Sequence, residues 1–188
     1  MYIQKIIASE KTVFSLEDLR KIWLIEDKNY LKVIASRLFL RGFLLRIYRG
    51  LYSLREDYDV FELANKLKSP SYVSLETILQ KDNVIFQEYG STVFSLSTNT
   101  VSKKVANRMF QYSKMKKEIL MNPLGVISSG QSMIATPERA VCDRIYLSPR
   151  YSFDNLRGLN IQKLRDIAKI YKNNRVEKEV EELIKNNQ

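Results

Sequence analysis

Apolar side chains recur at i, i+3, i+4 and i+7 through Leu31, Ile34, Ala35 and Leu38, a spacing that predicts an amphipathic helix over this stretch. At about 100° per residue, Asn29, Lys32, Val33, Ser36 and, at the edge, Arg37 fall on the face turned away from that stripe. Gly42 is placed to stop the helix as a C′ glycine, and Phe43 to Leu54 then read as a strand, a tight turn at Arg49-Gly50 and a second strand. Upstream, Tyr2 to Ala8 has the pattern of a first helix. Ser15-Leu-Glu-Asp18 reads as a helix start, with Ser15 as N-cap, Asp18 as the capping-box acid, and Phe14 and Leu19 in the hydrophobic-staple positions. Leu19, Ile22 and Trp23 are expected to face the core. Helices followed at once by a β-hairpin predict a winged helix-turn-helix, whose second helix enters the major groove while the wing reaches phosphates or the neighbouring minor groove. Periodicity alone also allows a small helical domain whose hairpin only packs.

After the polar, acidic junction Arg55-Glu-Asp-Tyr-Asp59, a helical pattern restarts in Val60, Leu63, Ala64 and Leu67, and Ser69-Pro-Ser71 breaks it. A helix is expected from near Ser74 through Leu75, Ile78 and Leu79, and strands over Thr92–Thr98, Met109–Met115, Gly125–Ser128 and Met133–Ala135. Thr136-Pro-Glu138 starts a further helix, with Thr136 as N-cap and Pro137 in the first turn. Two more helices follow: Ile161, Leu164, Ile167, Ala168 and Tyr171 behind an Asn160 cap, then Val176, Val180, Leu183 and Ile184. There is no internal repeat. The expected fold class is therefore α+β, with a winged-helix domain over 1–57 and a mixed α/β domain over 58–188.

Charge sharpens this picture. Residues 1 to 54 hold ten Lys and Arg against five Asp and Glu; residues 55 to 102 hold four against seven, and residues 103 to 150 nine against three. A formal net charge of +10 points to a polyanionic partner, and beside a helix and wing that partner is expected to be duplex DNA. The chain has no His, which excludes Ser-His-Asp, Cys-His and His-rich metal chemistry. Its six glycines form no phosphate-binding loop, so no enzyme, cofactor or metal is expected. No apolar run approaches the roughly 18 residues of a membrane span, the N-terminus lacks a signal-peptide pattern, and a lone Cys142 excludes an intramolecular disulfide framework. A cytoplasmic protein is expected, with Cys142 a small core residue.

On the helix, Asn29, Lys32, Val33 and Ser36 are the candidates for base edges: Asn can pair with adenine, Lys can donate to guanine, and Val33 can touch a thymine methyl. Lys28 and Arg37 flank them as phosphate contacts, and Arg46 and Arg49 on the wing are expected to bind backbone or enter a minor groove, while Tyr48 either packs or touches DNA. For each of these residues a merely solvated surface role is the alternative. Farther on, Arg108, Lys114, Lys116 and Lys117, with Tyr112 among them, form a basic strip that extends a DNA footprint or faces an acidic partner; alternation around Phe110, Tyr112 and Met115 suggests a half-buried strand, on which Lys114 to Lys117 are a solvated edge that discourages strand pairing. Glu138 and Asp143 invite a metal-site reading, but five residues apart they leave a common helix face, and Arg139 and Arg144 favour ion pairs. The run Glu177-Lys-Glu-Val-Glu-Glu182 is a solvated helix face or a partner surface.

Arg46-Ile-Tyr-Arg-Gly-Leu-Tyr52, Ser69-Pro-Ser-Tyr-Val-Ser-Leu-Glu76 and Met133-Ile-Ala-Thr-Pro-Glu-Arg-Ala-Val-Cys-Asp143 resemble, in order and spacing, successive signature blocks of AbiEi-type antitoxins. The resemblance spans most of the chain. It implies a winged helix joined to a C-terminal antitoxin domain, in the antitoxin half of an abortive-infection type IV toxin-antitoxin system. It further implies autorepression through inverted repeats upstream of the operon, and opposition to a nucleotidyltransferase-like toxin without a stable complex. The chain is shorter than many such proteins, so its C-terminal domain is expected either to neutralise the toxin or to retain repression alone. The alternative is a stand-alone winged-helix regulator with no toxin partner.

Overall fold

The computed structural model describes residues 2–186 and divides after Leu67 into two units, each with its own sheet, so the chain is α+β as expected.

The first unit runs α1 (Tyr2–Ile7), β1 (Phe14–Ser15), α2 (Leu16–Trp23), α3 (Lys28–Leu40), β2 (Leu45–Tyr48), β3 (Leu51–Ser53) and α4 (Val60–Leu67). The capping box at α2 is complete: Ser15 Oγ accepts from Asp18 N at 3.1 Å, and Asp18 Oδ2 accepts from Ser15 N at 2.9 Å. Leu19 and Trp23 of α2 pack with Leu31, Ile34 and Ala35 of α3 and with Ile6, Phe14 and Leu44 in one buried cluster. The Trp23 indole N–H donates to Tyr2 O at 3.2 Å, which fixes α1 against α2. The antiparallel sheet has the order β1-β3-β2. Strand β2 therefore forms one edge, joined to β3 by Arg49-Gly50, and Gly50 supplies the positive φ of 77° that this turn requires.

The boundary lies ten residues beyond the expected one at 57/58, because α4 belongs to the first unit. Asp59, part of the acidic stretch that reads as a linker, instead caps α4, accepting from Phe61 N at 2.7 Å and donating its own N–H to Thr12 Oγ1 at 2.9 Å. One turn on, the buried Glu62 carboxylate accepts from Thr12 N and Thr12 Oγ1, both at 2.8 Å, and from Val13 N at 3.1 Å. These contacts between residues about fifty apart leave no local signature.

The second unit comprises β4 (Ser71–Val73), α5 (Glu76–Lys81), β5 (Thr92–Ser97), β6 (Val101–Val105), β7 (Arg108–Lys114), α6 (Lys117–Leu120), β8 (Val126–Ser129), β9 (Ser132–Ala135), α7 (Pro137–Leu147), α8 (Ile161–Lys169) and α9 (Asn174–Asn186). Its mixed sheet has the order β6-β7-β5-β4-β9-β8, with β4/β9 and β5/β7 parallel and the other neighbours antiparallel. Thr136 and Asn160 cap α7 and α8 as expected. Strands β4 and β6 and helix α6 do not stand out in the sequence, since they are short and β6 carries adjacent lysines.

A buried charge network holds this unit together. Asp143 on α7 is fully buried and accepts from Arg139 Nε at 3.2 Å, Tyr171 Oη at 2.6 Å, Ser74 Oγ at 2.8 Å and Tyr72 Oη at 3.0 Å. Arg139, equally buried, spends its remaining N–H groups on Tyr72 Oη, Ile119 O and Leu124 O at 2.7 to 3.0 Å. Each charge thus finds its partner and its hydrogen bonds, the condition under which an interior ion pair is tolerated. Gly125 has no room for a side chain: with φ of 75°, a Cβ there would lie 2.8 Å from Arg139 Cβ.

Candidate nucleic-acid interface

Helix α3 begins at Asp27, whose carboxylate accepts from Asn29 N at 2.7 Å and Tyr30 N at 3.1 Å. It ends in a Schellman motif. Gly42, at φ 73°, donates to Phe39 O at 2.9 Å, and Phe43 donates to Leu38 O at 2.9 Å. Between these caps Leu31, Ile34 and Ala35 are buried, so the opposite face is turned to solvent. Lys28, Asn29, Lys32, Val33, Ser36 and Arg37 are all exposed. On the hairpin, Leu45 and Ile47 turn partly inward while Arg46 is exposed on the same edge strand, and Arg49 is exposed at the turn. The eight residues picked out for DNA binding therefore lie on the surface of one unit, six on α3 and two on the hairpin.

The distribution of ion pairs distinguishes this surface from the surroundings of α2. Around α2, Lys11 and Lys66 pair with Asp18 at 2.8 and 2.7 Å, and Arg20 pairs with Glu17 and Glu26, both at 2.9 Å. Burial raises the pKa of Asp18, but the Lys11 and Lys66 ammonium groups and the Ser15 contacts outweigh it and hold the carboxyl well below its usual range. By contrast, among the described residues Lys28, Lys32, Arg37, Arg46 and Arg49 form no salt bridge. Arg41, which the helical periodicity does not single out, joins them: it is exposed at the C-cap of α3 and forms no salt bridge among the described residues. Leu40, 78% exposed, continues the outer face beyond Ser36. Its apolar side chain carries no signal of a polar contact in the sequence.

The basic strip of the second unit is not continuous. Tyr112 is only 1% exposed, and burial pushes its hydroxyl far above its ordinary value, so it is a core residue and not part of a surface. Arg108 and Lys114 are exposed at opposite ends of β7, about 20 Å apart at the rise of a strand, with Phe110 and Tyr112 buried between them. Lys114, Lys116 and Lys117 do cluster at one end. The edge-protection reading also fails, because β7 lies between β6 and β5.

Glu138 and Asp143 take separate structural partners. Glu138 pairs with Lys163 at 3.2 Å, whereas Asp143 belongs to the Arg139 network. Among the described residues no group of three His, Cys, Asp or Glu side chains is placed to hold a metal. Cys142 is buried and its thiol is pushed well up by that burial, as a core residue's would be. No helix among the described residues is long and apolar enough to cross a membrane. Comparison of the chain with protein-family models and with curated proteins gives no match.

Proposed function

We propose that the first unit is a winged helix-turn-helix that binds duplex DNA through α3 and the β2–β3 hairpin, and that the protein is the autorepressor and antitoxin of a type IV toxin-antitoxin operon. The observation that carries the DNA reading is the segregation of charge within one small unit. Six exposed cations from Lys28 to Arg49 form no salt bridge among the described residues, while Glu17, Asp18 and Glu26 are paired around α2. A surface of this kind releases counterions when it meets phosphates, with no internal ion pair to break first. The order β1-β3-β2, with the hairpin's outer strand following α3 through Gly42, supports a wing beside a recognition helix. Asn29, Lys32, Val33 and Ser36 read bases in this account, and Lys28, Arg37, Arg46 and Arg49 hold phosphates.

The antitoxin role rests on the resemblance of the signature blocks. Two of them meet in this fold, since Tyr72 and Ser74 of one hydrogen-bond Asp143 of the other. That supports a shared fold for the second unit, with Lys114, Lys116 and Lys117 as its candidate surface towards the toxin or a polyanion. The same burial favours a second reading, a stand-alone regulator, because residues spent on the core present nothing to a toxin. Co-expression with the toxin encoded beside the gene, placed under an unrelated promoter, separates the two. Rescue of growth by the full chain and not by residues 1–67 supports the antitoxin. Absence of rescue, with retained binding to the upstream repeats, leaves the regulator.

A further inference from the structure

The two edges of the second unit's sheet are built differently. Edge strand β6 carries Lys103 and Lys104, the kind of charge that keeps another strand away. Edge strand β8 carries none: Val126-Ile-Ser-Ser129 lies inside a stretch without a single charged residue between Glu118 and Glu138, in a chain that is 28% charged. Apolar side chains reach the surface along that stretch, with Met121 59%, Leu124 42%, Ile127 48% and Met133 43% exposed beside the uncharged Ser128, Ser129 and Gln131. The register adds a geometric point. Ile127 is opposite Ile134 and Ser128 is opposite Met133 on β9, and cross-strand partners share a face, so Ile127 and Met133 flank the edge from opposite faces of the sheet. A strand laid against β8 therefore meets Ile127 on one face and the half-buried Val126 with Ser128 on the other, where Met133 lies one strand behind. Among the described residues β8 pairs with β9 only.

We infer that β8 is a homodimerisation edge, pairing antiparallel with β8 of a second copy to join the two sheets across a two-fold axis. Charge selects this occupant. Two molecules of net charge +10 repel over most of their surfaces, and this edge is where they approach without bringing cations together, whereas an acidic partner is matched by lysines that the edge lacks. Symmetry agrees, because an antiparallel pair of identical strands is a closed, self-complementary arrangement that ends at two copies. The inference does not depend on DNA binding.

The test uses the full chain. Sedimentation or light scattering at micromolar concentration should give a dimer for the parent and a monomer for Ile127→Lys. Single cysteines introduced as Ile127→Cys, Ser128→Cys and Ser129→Cys report the contact directly: directly opposed strand residues lie about 4.5–5.5 Å apart, within disulfide reach. At least one of the three should give a disulfide-linked dimer on mild oxidation, while Ser102→Cys, exposed on β6, should not. Buried Cys142 stays out of the reaction. A monomeric parent, or a dimer that crosslinks through Ser102→Cys and through none of the β8 cysteines, overturns the inference. If Ile127→Lys fails to fold, the cysteine series decides alone.

Discussion

Removing the Glu62 carboxylate should destabilise the N-terminal unit selectively. Glu62 Oε2 accepts three hydrogen bonds, from Thr12 N, Thr12 Oγ1 and Val13 N, and the residue is buried beside Asp59, whose N–H engages the same Thr12 hydroxyl. A hydrogen bond to a charged group is worth about 1.5–3 kcal/mol. Losing three is partly offset because a buried carboxylate no longer needs desolvating, and Thr12 keeps some access to water. A net loss of about 2–4 kcal/mol is expected for Glu62→Ala, and about 1–2 kcal/mol for Glu62→Gln, which retains one acceptor oxygen. The assay is built in, because Trp23 is the only tryptophan, lies in the core of this unit and is buried. Its fluorescence under urea should report an earlier transition, shifted by about 2–4 M for Glu62→Ala at a slope of about 1 kcal/mol per M. Residues 1–67 should show the same Trp23 transition as the full chain and residues 1–57 should not. Variants within about 0.5 kcal/mol of the parent, or an equally stable 1–57 fragment, would refute the assignment of α4 to this unit.

Asp18→Asn should cost stability at neutral pH and progressively less in acid. The folded Asp18 pKa is depressed below its ordinary 3.8, so its stabilisation is complete above that value and is lost as pH falls towards the folded value; a parent-to-variant difference equal at pH 6 and pH 3, read by Trp23, would contradict this. In the second unit, Arg139→Ala leaves Asp143 buried without its counter-charge and should cost about 3–5 kcal/mol by far-ultraviolet circular dichroism melts. Alanine at Arg108, Lys114, Lys116 and Lys117 together should change those melts by less than about 1 kcal/mol, and a larger loss would give the strip a structural role. Asn29→Ala and Ser36→Ala should each relax sequence preference by about 1–3 kcal/mol per lost base contact. Arg49→Ala should weaken specific and nonspecific binding alike, and an effect on preference alone would undo the division between helix and wing.

Local rules made much of the fold legible. The capping box at Ser15, the C′ glycine at Gly42, the turn at Arg49-Gly50 and the N-caps at Thr136 and Asn160 are each set by a few neighbouring residues, and each is found where the spacing predicts. Distant partners decided what was missed. Glu62 carries no local signal of burial, because Thr12 and Val13 reach it from about fifty residues away, and the unit boundary accordingly falls after Leu67 and not at 57. Tyr112, surrounded by basic residues in sequence, is buried because its strand lies inside the sheet, a position fixed by pairing between segments far apart. The candidate surface on α3 was legible because helical periodicity alone assigns its outward face. Arg41 was not, since it lies where the helix stops and the periodicity no longer applies.

The central claim is that the cations of α3 and the hairpin neutralise DNA phosphates. Fluorescence anisotropy of the full chain on a duplex from its own upstream region, titrated across salt concentration, tests it most directly. Five cations that hold phosphates or lie close to them, Lys28, Arg37, Arg46 and Arg49 together with the base-reading Lys32, predict a log-log slope of about −4 to −5, with Arg41 adding about −1 if it also reaches a phosphate. The Lys32→Ala, Arg46→Ala, Arg49→Ala triple variant should reduce the magnitude of that slope by about 2 to 3. A slope near zero, or a triple variant with the parent's slope, would contradict the account.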